Sequence, residues 1–228
     1  MTLPVRKRKL AALLLLTGLV FSVAVMLAMA ELHEETGEPY FTRLDQVGMQ
    51  AIHAHDSPAL TKMAFTLSWI GSPATLAPVV GCTGLLLWKR RLRRDAVLLV
   101  AAMAGAAVLD TVLKLHFRRV RPDVPWAFVT EHSFSFPSGH SAGAVVLYGV
   151  VTYLVWKHLR TAWQRVGGVV AALLIVAGIG ASRVYLGVHY PTDVAAGYLV
   201  GLMWLVPVIG TNEYLNRAGA RRVDTQSV

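Results

Sequence analysis

The sequence predicts an all-α, polytopic membrane protein of six transmembrane helices in one bundle, and three observations predict it. Of 228 residues, 55% are hydrophobic and 15% are charged, a balance too apolar for a soluble domain of this length. Residues 10–30 and 63–88 carry no charge over lengths that exceed the roughly 20 apolar residues a spanning helix needs. Short basic clusters then punctuate the chain between apolar runs, as they do at membrane surfaces.

The first run, residues 10–30, ends in Ala28-Met29-Ala30, which resembles a secretory cleavage site. Its length exceeds the about 7–15 residues of a signal core and favours a permanent span. Residues 31–62 open with Glu31, Glu34, Glu35 and Glu38, then place Phe41, Leu44, Val47, Ala51 and Ile52 at helical spacing. This is the pattern of a short amphipathic segment on the outer membrane surface, placed to act as a lid or lateral gate. His53, His55 and Asp56 lack a further ligand group at metal-site spacing and read as solvated loop residues. Ser57 and Pro58 supply an N-cap and a first helical position. The remaining spans are expected near 62–88, 95–115, 140–156, 166–182 and 192–212. Without a repeat or a linker, residues 1–228 form a single domain. Cys82 is the sole cysteine, so no intrachain disulfide forms.

Six spans sort the basic residues onto two sides. One side collects the N-terminus, the 88–95 turn, the 156–165 turn and the C-terminus, with 15 of the 22 Lys and Arg residues. That excess predicts that both termini are cytoplasmic and that the longer loops face outward. Trp88, Trp156 and Trp163 flank the basic turns as interfacial anchors. The net charge of +9 falls in clusters beside apolar runs rather than along a polar face, which argues against nucleic acid as a partner and for the bilayer.

Three polar clusters fall at the outer ends of different spans, where polar groups are expensive and ask for a common explanation. They are Lys114 to Pro122, Pro137 to His140, and Ser182 to Asp193. Lys114, Arg121 and Arg183 supply fixed cations, and the amides of Ser138 and Gly139 open a helix, a combination suited to a phosphate without a metal ion. His189 and Asp193 are four apart, so the carboxylate can hold one ring nitrogen and leave the other as a nucleophile. His140 is placed to protonate a leaving oxygen and then to activate water. Arg118 and Arg119 are candidate headgroup contacts. Asp110 is set to pair with Lys114 one turn away, and His116, His132 and Asp123 lie nearby without a place in the pattern.

These residues resemble the type 2 phosphatidic acid phosphatases, which share their site with vanadium haloperoxidases and bacterial acid phosphatases. The family pattern is K-x6-R-P, then P-S-G-H, then S-R-x5-H-x3-D. Every named position is present, as Lys114, Arg121 and Pro122, as Pro137, Ser138, Gly139 and His140, and as Ser182, Arg183, His189 and Asp193. The resemblance implies that His189 is the nucleophile, Asp193 its partner and His140 the acid and base. It implies phosphate binding by Lys114, Arg121, Ser138, Gly139 and Arg183, with no metal and no cofactor. The chain looks most like small bacterial lipid phosphatases acting on phosphatidylglycerol phosphate, phosphatidate or undecaprenyl pyrophosphate in the cell membrane, with the site on the periplasmic or extracellular face. Two other readings share these residues: a lipid phosphotransferase using the same phosphohistidine, and a non-catalytic phospholipid-binding or transporting bundle. A membrane setting argues against the haloperoxidase activity. Oligomeric state is not encoded in these patterns.

Overall fold

The computed structural model describes residues 39–224 and eight residues between 13 and 24. In chain order its helices are α1 (Pro39–His53), α2 (Pro58–Ile70), α3 (Pro73–Lys89), α4 (Arg93–Phe117), α5 (Gly139–Trp156), α6 (Ala162–Tyr185) and α7 (Pro191–Asp224), and no strand occurs among the described residues. Proline opens α1, α2, α3 and α7, where its missing N–H would have had no intrahelical acceptor. Ser57 and Ser72 cap α2 and α3 by accepting from the Leu60 and Thr75 amides, and Thr161 with Gln164 forms a capping box on α6.

Helices α4, α5, α6 and the Pro191–Asn216 part of α7 are long and apolar enough to cross a membrane, and the bent α2–α3 pair adds a fifth candidate. The chain is therefore a multi-pass membrane protein. Most of the expected first span at 10–30, its basic flank, the Ala28-Met29-Ala30 sequence and the acidic residues before α1 lie outside the described residues, as do the side chains of Arg217, Arg221 and Arg222. The described positions between 13 and 24 are helical; Leu15 packs on the core and Gly18 lies against Pro207 of α7.

The expected uninterrupted span at 62–88 is broken into α2 and α3, which meet at 46°. Ser72 turns its side chain onto the Thr75 amide, and Pro73 cannot donate to the preceding turn. Ile179 of α6 fills the bend, since a Cβ on Gly71 would come within 2.5 Å of Ile179 Cγ2.

The centre of the bundle is α7 against α4 and α5. A Cβ at Gly197 would approach the Ser138 carbonyl oxygen to 2.5 Å, and one at Gly201 the Ala142 carbonyl oxygen to 2.9 Å, so this small-residue stripe sets how closely α7 meets α5. Trp204 fills the notch at Gly105 and donates its indole N–H to the Ala102 carbonyl at 2.8 Å, giving a buried donor a partner where lipid offers none. Leu99, Leu109, Leu113, Val146, Val150 and Val200 fill the space around it.

Lys157 pairs with Asp95 at 2.9 Å and Arg94 donates to Asn216 at 3.3 Å, so both basic turns and the α7 tail share one end of the bundle. Arg93 and Arg165 lie over the Trp88 and Trp156 rings there. The length of α4, roughly 37 Å at 1.5 Å per residue, separates that end from the three polar clusters.

Candidate active site

The loop after α4, the N-terminus of α5 and the turn between α6 and α7 converge at the far end of the bundle. The α6–α7 turn is tight because Gly187 adopts φ +76°, a left-handed conformation that glycine takes without strain. A side chain there would meet the Ala127 Cα at 2.9 Å. The turn folds back so that the Val188 and His189 amides both donate to the Arg183 carbonyl.

His189 is thereby buried, with Nδ1 3.4 Å from Asp193 Oδ2 and Nε2 3.2 Å from Arg121 Nη1. A guanidinium only donates, so Nε2 presents its lone pair and the ring proton sits on Nδ1, toward Asp193. Burial lowers the imidazole below its ordinary value against the pull of Asp193, and the ring is neutral at pH 7. Asp193 also accepts from the Tyr190 amide at 3.0 Å, which locks the carboxylate to the turn.

Lys114 and Asp110 form the expected pair one turn apart, with both carboxylate oxygens within 2.9 Å of Nζ. Asp110 also lies against Gly139, where a Cβ would come to 2.7 Å from Oδ1. Arg121 is gripped by the carbonyls of Ser133 and Val188 at 2.7 and 2.8 Å, and burial lowers its guanidinium from the ordinary value. Arg183 donates to Ser68 Oγ at 2.6 Å, yet its buried Nε has no acceptor.

Ser138 caps α5 through its hydroxyl, while its amide donates to the Asp193 carbonyl at 2.9 Å. That amide joins the second cluster to the third, and the first-turn amides of Gly139 and His140 are those that helix geometry leaves without an intrahelical acceptor. Arg119, a candidate headgroup contact from sequence, turns inward: it pairs with Asp193 at 2.5 Å and with Asp45 of α1 at 2.6 Å. These two carboxylates outweigh the effect of burial and raise its pKa. Arg118 is exposed, at the left-handed C-cap of α4.

Glu131, Asp45 and Ser68 belong to this cluster and have no place in the sequence patterns. Glu131 sets one carboxylate oxygen on Arg121 at 2.9 Å and the other on Arg183, so a carboxylate sits between two cations. Burial pushes Glu131 up, but Arg183 and Arg121 together hold it below the ordinary carboxylate value. Asp45 was visible only as an acidic residue in helical register with Met49 and Ile52. The stripe of α1 that carries Leu44, Val47 and Ala51 is exposed, as an amphipathic surface helix requires, while the Phe41 side chain lies outside the described residues. Of the other nearby polar residues, His53 stacks on Trp126, His55 bonds the Ala51 carbonyl, His116 edges Phe117 and His132 borders the cavity.

A cavity of about 1240 Å³ unites Lys114, Arg121, Glu131, His140, Arg183 and His189 at its polar end. It continues past the α2–α3 bend between α3 and α4, where Leu76, Val80, Val100 and Met103 make an apolar wall. The arrangement suits an anionic group at one end and an apolar chain at the other.

Residues 95–217 match the PAP2 superfamily. The chain is 36% identical over 166 residues to phosphatidylglycerophosphatase B of Bacillus subtilis, covering 70% of this chain and 79% of that protein. It is 34% identical over 155 residues to an undecaprenyl-diphosphatase of Sulfolobus acidocaldarius, covering 66% and 69%. The crystal structure of a transmembrane PAP2 type phosphatidylglycerolphosphate phosphatase from Bacillus subtilis superimposes with a TM-score of 0.75 at 31% identity, over 85% of this chain and 96% of that one.

Proposed function

The chain belongs to the PAP2 superfamily and is a membrane phosphatase, and we propose that it hydrolyses a lipid phosphate through a phosphohistidine on His189. The observation that carries this reading is the His189 ring itself. Its Nδ1 faces Asp193, and its Nε2 carries the lone pair, 3.2 Å from Arg121 Nη1, in a ring that lines one cavity with Lys114, Arg121 and Arg183.

In the first step Nε2 attacks phosphorus, the bond from phosphorus to the leaving oxygen breaks, and His140 gives that oxygen a proton. The ring becomes cationic as it forms the P–N bond, and Asp193 stabilises it through the Nδ1 proton. In the second step His140 takes a proton from water, the oxygen attacks phosphorus, and the P–N bond breaks to release inorganic phosphate and neutral His189. Lys114, Arg121, Arg183 and the first-turn amides of α5 hold the equatorial oxygens, whose charge is spread in the transition state. The Arg183 Nε, buried without an acceptor, supports this role because a phosphate oxygen would satisfy it. These cations supply the neutralisation that a metal would otherwise provide.

The apolar arm of the cavity supports a lipid substrate whose chains stay among α3, α4 and the bilayer while the headgroup reaches His189. Phosphatidylglycerol phosphate, undecaprenyl pyrophosphate and phosphatidate share that chemistry, and the names of the relatives support the first two. The excess of positive charge at the opposite end of the bundle supports a site on the periplasmic or extracellular face.

The test is phosphate release by detergent-purified wild type and His189→Ala, with EDTA present, on each of the three lipids. Release by the wild type alone is expected, and the lipid with the highest kcat/KM identifies the substrate class. Activity that survives His189→Ala would refute the phosphohistidine, and release that requires a lipid acceptor would make the chain a phosphotransferase.

A further inference from the structure

The ion pairs on Asp193 extend beyond the three sequence clusters. One guanidinium, that of Arg119, reaches Asp193 Oδ1 with Nη1 at 2.5 Å and Asp45 Oδ2 with Nη2 at 2.6 Å. Its planar fork is suited to bridging two carboxylates, and it lies on the Tyr190 ring with 4.1 Å from Cζ to the ring centroid. Asp45 also accepts from the Thr192 amide at 3.0 Å and the Thr192 hydroxyl at 2.7 Å. It therefore holds Asp193 twice, through Arg119 and through the adjoining residue at the start of α7. Helix α1 comes this close because Gly48 rests against Pro191, where a Cβ would meet the ring at 2.8 Å.

Anchoring α1 alone would not call for this arrangement. Asp45 is 1% exposed and Asp193 wholly buried, and a buried ionic cluster stabilises a fold less well than apolar packing of the same volume. Its value lies in direction, since a carboxylate gripped on Oδ1 cannot rotate Oδ2 away from its partner.

We propose that Asp45 is a positioning residue for the phosphatase reaction, acting through Arg119 to aim the Asp193 carboxylate at His189. The inference rests on the reading of His189 as the nucleophile. Removing Asp45 frees one arm of Arg119, so Asp193 keeps the Tyr190 amide on Oδ2 but loses the fixed direction of its contact on Oδ1, which weakens the bond that keeps the ring proton on Nδ1. Helix α1, which lies outside all three clusters, is then part of the catalytic machinery and not merely a cover over it.

Phosphate release by Asp45→Asn, Arg119→Lys and the double variant tests this, with His189→Ala alongside and melting temperature in detergent as a check on folding. Asp45→Asn should lower kcat about tenfold at nearly constant KM, the signature of a misaimed catalytic group. Arg119→Lys keeps the charge but replaces the planar fork, whose two arms reach Asp193 and Asp45 from separate nitrogens, with a single nitrogen of shorter span, and it should lose as much. Because both act in one chain of contacts, Asp45→Asn should lower kcat less than about twofold in the Arg119→Lys background. Full multiplication of the two losses, or wild-type kcat in a folded Asp45→Asn, overturns the proposal. If Asp45→Asn does not fold, Arg119→Lys decides alone, and wild-type kcat there overturns it as well. Turnover surviving in His189→Ala would instead bring down the reading of the nucleophile, a separate failure.

Discussion

Arg121 Nη1 lies 3.2 Å from His189 Nε2, on the side of the ring away from Asp193. A cation in that position does two things to the imidazole. It can only donate, so it selects the tautomer with the lone pair on Nε2, and its charge opposes protonation of the ring.

The pH dependence of kcat/KM follows from that environment. On the proposed mechanism attack requires the neutral ring; burial lowers its pKa, Asp193 raises it, and Arg121 lowers it again, with a net shift downward. The neutral form therefore persists as pH falls, and the acid limb is expected below the ordinary imidazole value of about 6.5. Asp193→Asn removes a raising contribution, so its acid limb should move lower still while kcat drops. A rate profile on purified protein checks both, and an upward shift in Asp193→Asn would contradict the assignment.

Glu131 occupies the space between Arg121 and Arg183 with a carboxylate, an anion that accepts from the guanidinium donors a phosphate would use. Glu131→Gln keeps the shape and removes the competing charge. Vanadate or inorganic phosphate should then inhibit about tenfold more tightly, in line with roughly 1.5–3 kcal/mol for a hydrogen bond to a charged group. Inhibition constants for the two proteins measure this, and weaker inhibition in Glu131→Gln would show that the carboxylate supports the anion site instead.

Gly139→Ala places a methyl group 2.7 Å from Asp110 Oδ1, and the Asp110 carboxylate is tied to Lys114 by two hydrogen bonds. The pair must shift, and Lys114 with it. On the proposed role of Lys114 as a phosphate ligand, a fall in kcat/KM of about a hundredfold is expected, as for small displacements of catalytic groups. Asp110→Ala combined with Gly139→Ala would relieve the clash without restoring Lys114, so the double variant should remain impaired.

Gly105→Ala tests the bundle rather than the site. The added Cβ would fall 2.1 Å from the Trp204 ring and disturb the bond from the indole to Ala102. Overpacking of this kind costs about 1–3 kcal/mol, read as a lower melting temperature in detergent. Trp204→Phe in the same background removes the clashing part of the ring and should recover some of the loss.

What the sequence determined by itself was whatever short-range spacing or bulk hydrophobicity encodes. Apolar runs bounded by Lys and Arg clusters mark spans because lipid excludes charge over a fixed thickness, and α4 to α7 fall where those runs predict. His189 and Asp193 were legible as a pair because four residues bring two side chains to one side of a helical turn. Tertiary structure alone decided the rest. Gly71, Ser72 and Pro73 are a local signal that ends one helix and caps the next, but nothing in the run announces Ile179 of α6, which fills the bend between them. Arg119 meets Asp45 across 74 positions, and Glu131 meets Arg183 across 52. Contacts at such separations depend on how the 118–138 loop and the helices pack together. Gly48 on Pro191 sets how near α1 comes to α7, and Gly197 and Gly201 set how near α7 comes to α5, side-chain volumes whose effect exists only once the chain is packed.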